Sequence, residues 1–307
     1  MGNHTSKLLS QIFMRIPESG KTMFRSAGIV IVLSLLLVSG SKGQNLDVPY
    51  VSTPQSVVEK MLEVAEVGPG DYVIDLGCGD GRIVNSAAQR GAYGHGIDLD
   101  PERIREARSN ARRSNVSDKV MFLQEDIFET DFSRANVITM YLLSSVNLKL
   151  RPRLLEELEP GTRIVSHDFN MGEWKPDKHF QVDNANINLG VWEIDNPIAS
   201  DTHDIYYWII PARVEGQWEW ETNGESFTMT VEQEFQEIDP DISTGNTSLR
   251  IEETLLKGER IRITAANHSN GNKYVYNGRV AEDKIIGTVQ IRTDSYHTIA
   301  NWSAELR

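Results

Sequence analysis

The 307-residue sequence contains one cysteine, Cys78. No intramolecular disulfide can form, and no cysteine-based zinc site can be built. Basic charge is scarce too: 31 Lys and Arg stand against 44 Asp and Glu, a formal net charge of -13. Non-specific nucleic-acid binding needs basic surface to displace counterions, so nucleic acid is a disfavoured partner. Arg103, Arg105, Arg108, Arg112 and Arg113 cluster, but with the spacing of a solvated helix face. The longest apolar run, Gly28 to Val38, is shorter than the roughly 18–20 residues that span a bilayer. No G-x-S-x-G elbow occurs, and Ser166-His167-Asp168 cannot form a hydrolase relay, because consecutive strand residues alternate faces. His95, His167 and His179 have no ligand-like spacing, so no metal site is indicated.

What is present begins with a segment, residues 1–45, that does not read as part of a fold. Lys7, Arg15, Lys21 and Arg25 precede the Gly28–Val38 run, and the small residues Ser41 and Gly43 follow it. That is the order of a signal peptide cleaved after Gly43; an uncleaved signal anchor reads the same way, and a start at Met23 gives a compact signal peptide. No cysteine stands at the exit, which excludes a lipoprotein anchor. The expectation is an exported or membrane-associated protein, or a cytoplasmic one if the segment is not used.

Beyond it, hydrophobic content of 39% suffices for a buried core. Thr53-Pro54 reads as a helix start, with Thr53 as cap and Pro54 in the first helical position. Val57, Val58, Met61, Leu62 and Ala65 then recur at helical spacing. Strand-like segments Tyr72–Leu76, His95–Leu99, Val120–Leu123, Asn136–Leu142 and Thr162–His167 alternate with helical ones. The helices carry Ile83, Val84, Ala87 and Ala88; then Ile104, Ala107 and Ala111 after the Asp100-Pro101-Glu102 start; then a leucine-rich stretch from about Pro152 to Leu158. This alternation predicts an α/β fold over residues 46–212, a Rossmann-like, doubly wound, mostly parallel sheet. Val191–Ile194 and Asp204–Ile210 read as a closing antiparallel hairpin. Residues 213–307 read as a small antiparallel β module, a sandwich or a barrel, with strands at Gln217–Glu221, Ser226–Phe235, Ser248–Leu255, Arg260–Ala265, Lys273–Tyr276, Ile285–Ile291 and Ala300–Leu306.

Asp75-Leu76-Gly77-Cys78-Gly79-Asp80-Gly81 falls in the first βα turn, where ligands lie beyond the strand ends. Glycine there permits positive φ and close backbone approach. The spacing is G-x-G-x-G, and the third glycine of a dinucleotide fingerprint would fall on Arg82. Asp75 and Asp80 would repel a pyrophosphate but attract S-adenosylmethionine (SAM), whose sulfonium and α-ammonium are cationic. The residues therefore favour SAM over NAD, with a ligand-free glycine turn as the other alternative. Gly77, Cys78, Gly79 and Gly81 would cradle the donor, Cys78 as a small filler. Asp98 ends the second strand and is placed for the ribose hydroxyls, leaving Asp100 as the helix cap. Asp126, with Ile127 beside it, follows the third strand, either facing the adenine amino group or serving as a turn acid.

The loop, Asp98 and Glu125-Asp126 together resemble the class I SAM-dependent methyltransferases over roughly residues 46–210. Val48-Pro49-Tyr50-Val51-Ser52-Thr53-Pro54, Tyr141-Leu142-Leu143, and Ser166-His167-Asp168-Phe169 with Trp174-Lys175-Pro176 resemble a narrower group. It holds the mitochondrial lysine methyltransferases of the ATP synthase c-subunit and the adenine nucleotide translocase, with their prokaryotic relatives. Ser52 stands where that group is expected to have proline, and the mitochondrial members lack the β module. The resemblance implies methyl transfer from SAM to an acceptor and, more finely, to a protein lysine on a membrane protein. Groups around the methyl are expected from the strand carboxyl ends, Tyr141 ending strand four and Asp168 following strand five toward the acceptor, with Tyr50, in the segment leading into the first helix, folded over SAM. Two other readings stay open: a small-molecule methyltransferase, and an exported or membrane-anchored SAM-fold binding protein without methylation activity.

Overall fold

The computed structural model describes residues 51–183, 202–293 and 296–307. Residues 1–45, Tyr50 and the Val191–Ile194 segment lie outside these. Helix α1 (Gln55–Val64) buries Val57, Val58, Met61 and Leu62. Its start differs from the expectation: Pro54 is the N-cap residue and no side chain caps the helix. The Thr53 hydroxyl instead meets His167 Nδ1 at 3.2 Å, drawing this segment across the strand ends.

Seven strands form the first sheet: β1 (Tyr72–Leu76), β2 (Tyr93–Asp98), β3 (Val120–Gln124), β4 (Val137–Met140), β5 (Arg163–His167), β6 (Lys178–Asp183) and β7 (Thr202–Ile209). Their order is β3-β2-β1-β4-β5-β7-β6. The first five run parallel; β7 is antiparallel to β5, and β6 to β7. The expected doubly wound, mostly parallel sheet is what forms. All four residues of β4 are buried, as are four of the five in β1 and β5, which explains their continuous apolar runs. Strand order reverses between β1 and β4, and the crevice at such a switch point is where ligands bind in open α/β sheets.

Helices α2 (Arg82–Gln89), α3 (Pro101–Arg113) and α4 (Ser144–Glu157) cross between strands. Asp100 caps α3, accepting the Glu102 N–H at 2.7 Å, with Arg112 and Arg113 at the negative end of the helix dipole. Helix α4 begins well before the expected Pro152, which sits inside it. Leu150 and Leu154 flank that proline and are fully buried, so core packing outweighs the roughly 3 kcal/mol cost of an interior proline. Among the described residues no helix is long and apolar enough to cross a membrane.

The remaining strands, β8 (Gly216–Thr222), β9 (Glu225–Glu234), β10 (Glu237–Thr244), β11 (Thr247–Ser248), β12 (Arg250–Lys257), β13 (Arg260–Ala266), β14 (Lys273–Ala281), β15 (Lys284–Arg292) and β16 (His297–Leu306), form one antiparallel sheet. Its order is β11-β10-β9-β8-β16-β15-β14-β13-β12. The sheet curls until β10 comes against β12, so it is barrel-like rather than a sandwich. Trp218, Trp220, Phe227, Tyr274, Tyr276 and Trp302 fill the interior as one core. The β9–β10 turn reaches the first sheet: Gln236 Oε1 accepts the Trp174 Nε1–H at 2.8 Å, and Phe235 stacks on Trp174. The segment after β5 is thereby held from the β module's side.

Candidate active site

A pocket lies at the switch point, with about 960 Å³ of empty space counting the open solvent at its mouth. The turn after β1 forms its floor. Gly77 has φ +77°, and a Cβ there would sit 2.9 Å from Leu142 Cδ2. The Gly77 and Cys78 N–H groups both donate to the Ile97 carbonyl, at 2.9 and 2.8 Å, pinning the turn to β2. Asp98 closes it from the other side: its Oδ2 accepts the Gly79 N–H and its Oδ1 the Asp100 N–H, both at 2.9 Å. Cys78 is buried, and that burial, with the Asp75 and Asp98 charges, pushes its thiol well up, so it is no nucleophile.

The pocket gathers five aspartates, Asp75, Asp80, Asp98, Asp100 and Asp126, and two arginines, Arg82 and Arg103. Asp80 does not act as the bare charge the sequence suggested. It forms a two-pronged pair with Arg82, which also donates to the Thr53 carbonyl at 2.8 Å. Asp75 is 2% exposed and accepts from the Thr139 hydroxyl at 2.7 Å. Burial pushes its carboxyl up to about 7; the Thr139 hydrogen bond opposes that, and the Asp98 and Asp80 charges add to it.

Of the residues expected to hold the donor, Asp75, Gly77, Cys78, Gly79, Asp98, Asp126 and Ile127 line this pocket. Gly81 does not. It precedes α2 at φ +76°, and a Cβ there would come within 2.6 Å of Phe122 and 2.8 Å of Ala107, so it serves helix packing. Tyr50 lies outside the described residues. Thr53, Arg82, Phe128 and Leu142 also form the wall: the sequence reading named Thr53, Arg82 and Leu142 within or beside its motifs without placing them there, and it did not name Phe128, two residues beyond Asp126.

Tyr141 lines the pocket; Asp168 does not. Asp168 acts on the Tyr141 hydroxyl from outside that lining. Burial, with the charge and hydrogen bond of Asp168, pushes that hydroxyl up to about 12, so Tyr141 stays a proton donor. Its ring packs on His167, centroids 3.9 Å apart, and stacks on Phe169 at 6.0 Å. Burial drives His167 down to about 4, against the pull of Asp168 and with a further push from His203. The sequence spacing offered no reason to join His203 to this group, yet β7 brings it to His167 and Asp168, a set able to hold a metal ion.

Residues 75–178 match the ANTKMT methyltransferase domain model. A protein-lysine N-methyltransferase of Saccharolobus islandicus is 45% identical over 147 residues, 47% of this chain and 91% of the relative. The chain is a member of the SAM-dependent methyltransferase family that holds this enzyme. The adenine nucleotide translocase lysine N-methyltransferase of Mus musculus is 34% identical, over 48% of this chain and 66% of that protein. The lysine N-methyltransferase of the ATP synthase c-subunit from Homo sapiens is 30% identical, over 42% of this chain and 55% of that protein. This chain thus spans less than two thirds of each of these two relatives. A solved RNA methyltransferase from Salinibacter ruber, in complex with S-adenosyl-L-homocysteine, is 47% identical, covering 53% of this chain and 96% of that one, with a TM-score of 0.45.

The residues present fit the family's donor. Its sulfonium and ammonium are cations, and the pocket's carboxylates outnumber its guanidiniums five to two, with Asp80 and Arg82 offsetting each other. When bound, SAM supplies an electrophilic methyl group, transferred by in-line displacement. The protein's part is to bind, orient and exclude water. Asp98 orders the turn by holding two backbone amides, and the buried Asp75 offers a carboxyl that ionises readily beside a cation.

Proposed function

We propose that this methyltransferase transfers its methyl group to the side-chain nitrogen of a protein lysine. The observation that carries this is the 45% identity across 91% of the Saccharolobus islandicus protein-lysine N-methyltransferase. Asp75, Gly77, Cys78, Gly79, Asp98, Asp126 and Ile127 hold the donor. Tyr141 faces the acceptor, and Asp168 acts through it as a positioning residue. The Tyr141 ring, backed by its stack on Phe169, suits an aliphatic lysine stem, and desolvation against it lowers the pKa of the incoming ammonium, favouring the neutral amine that attacks.

The acceptor to try first is a lysine on a membrane protein. The Gly28–Val38 run supports export or membrane association, and the names of two relatives include the adenine nucleotide translocase and the ATP synthase c-subunit. A C-terminal reporter fusion decides on which side of the membrane the domain sits.

The test is methylation with isotope-labelled SAM by the full chain, offered solubilised membrane proteins, lysine peptides and RNA in separate arms. Label on lysine, located by mass spectrometry, is the expected result. Label on RNA with none on protein would overturn the reading.

A further inference from the structure

We propose that His167, Asp168 and His203 form a binding site for a divalent transition-metal ion behind the acceptor wall. His167 ends β5, Asp168 follows it, and His203 lies on the antiparallel neighbour β7. His167 Nε2 lies 2.9 Å from His203 Nδ1 and 3.2 Å from Asp168 Oδ2, and His203 Nδ1 lies 3.4 Å from the same oxygen. Metal–ligand bonds of about 2.1 Å place neighbouring donors about 3.0 Å apart in an octahedron and about 3.4 Å apart in a tetrahedron. The observed triangle therefore has the dimensions of one face of a coordination polyhedron. A proton bridges one edge of such a triangle at a time; a cation bridges all three.

The surroundings support this use. The Thr53 hydroxyl sits 3.2 Å from the other ring nitrogen of His167, fixing which nitrogen faces the cluster. Asp168 Oδ1 accepts the Asp204 N–H at 3.0 Å, which turns Oδ2 inward. Asp168 adopts φ +58°, a left-handed conformation that non-glycine residues take at a cost and that here aims the carboxylate. Both imidazoles are buried. Two imidazoles and one carboxylate suit zinc, iron(II) or cobalt(II) better than calcium or magnesium, which prefer oxygen donors. A bound ion would fix the carboxylate that acts on the Tyr141 hydroxyl and the ring on which Tyr141 packs. The site would hold its ion whether or not lysine is the acceptor.

The test uses the full chain, stripped with chelator and titrated with cobalt(II), followed by visible absorption, and with zinc(II), followed by calorimetry. Uptake of cobalt with a d–d band, displaced by zinc, is expected. His203→Ala and Asp168→Asn should each lower the stoichiometry by one ion per chain. His179→Ala, which removes a ring paired with Asp204 outside the triangle, should leave it unchanged. No uptake by the wild-type chain at sub-millimolar metal overturns the proposal, whatever the variants do. So does unchanged stoichiometry in His203→Ala, and if that variant does not fold, the near-isosteric Asp168→Asn decides.

Discussion

SAM binding should be linked to the ionisation of Asp75. In the free protein, burial holds this carboxyl up at about 7, from an ordinary 3.8. A cation seated beside it favours the carboxylate, so binding pulls the pKa back down and releases a proton. Returning the carboxyl fully to its ordinary range corresponds to about 4 kcal/mol, at about 1.36 kcal/mol for each tenfold change in acidity, and this is the ceiling on the coupling. The sign follows from a raised acid. Below about pH 7 the free protein holds Asp75 protonated, and SAM affinity falls as pH drops, by up to about tenfold per pH unit; above pH 7 it is flat. Stability of the unliganded protein runs the other way: the protonated acid's contribution is complete below about pH 4 and is lost as pH rises through 7. Thr139→Val removes the 2.7 Å hydrogen bond that favours the carboxylate. It should move the break in the profile to higher pH and weaken binding at pH 7 by about tenfold, the worth of a charge-assisted hydrogen bond. Calorimetry of SAM binding in buffers of different ionisation enthalpy reads both affinity and proton release. Affinity constant from about pH 5 to pH 8, with no proton release, would refute the reasoning.

Other outcomes follow from the same geometry. Asp98→Ala strands the Gly79 and Asp100 amides and should weaken SAM binding by about 100-fold or more, at about 1.5–3 kcal/mol per charged hydrogen bond; unchanged affinity in calorimetry would mean Asp98 does not order the site. Gly81→Ala puts a methyl 2.6 Å from Phe122 at a positive φ and should lower unfolding stability by about 2–4 kcal/mol in urea melts. Tyr141→Phe keeps the packing on His167 and Phe169 but loses the hydroxyl on which Asp168 acts; kcat should drop about tenfold to a hundredfold while SAM affinity holds. Gln236→Ala leaves the buried Trp174 indole N–H unpaired and should cost about 1–3 kcal/mol in the same melts.

Much of this was legible in the sequence, for reasons that particular residues make plain. The parallel strands β1, β4 and β5 are buried on both faces and so read as apolar runs; Asp98 and Asp126 were found because strand ends place ligands. Strand β6 escaped notice because it is a half-exposed edge with no apolar run. Strand β10 was hidden by Pro240, which pairs with Val231 of β9 and lies outside the short pairing of Ser243 and Thr244 with β11. Pro152 misled in the same way, reading as a helix start because core packing does not show locally. Thr53, Arg82 and His203 act on partners 29 or more residues away, across strands whose register no local pattern reveals.

The central claim is that the acidic turn after β1 seats SAM. Isothermal calorimetry of the full chain with SAM tests it most directly. The account predicts a single site of micromolar affinity or better, weakened about 100-fold or more in Asp98→Ala; no binding heat from the wild-type chain at high micromolar SAM would contradict it.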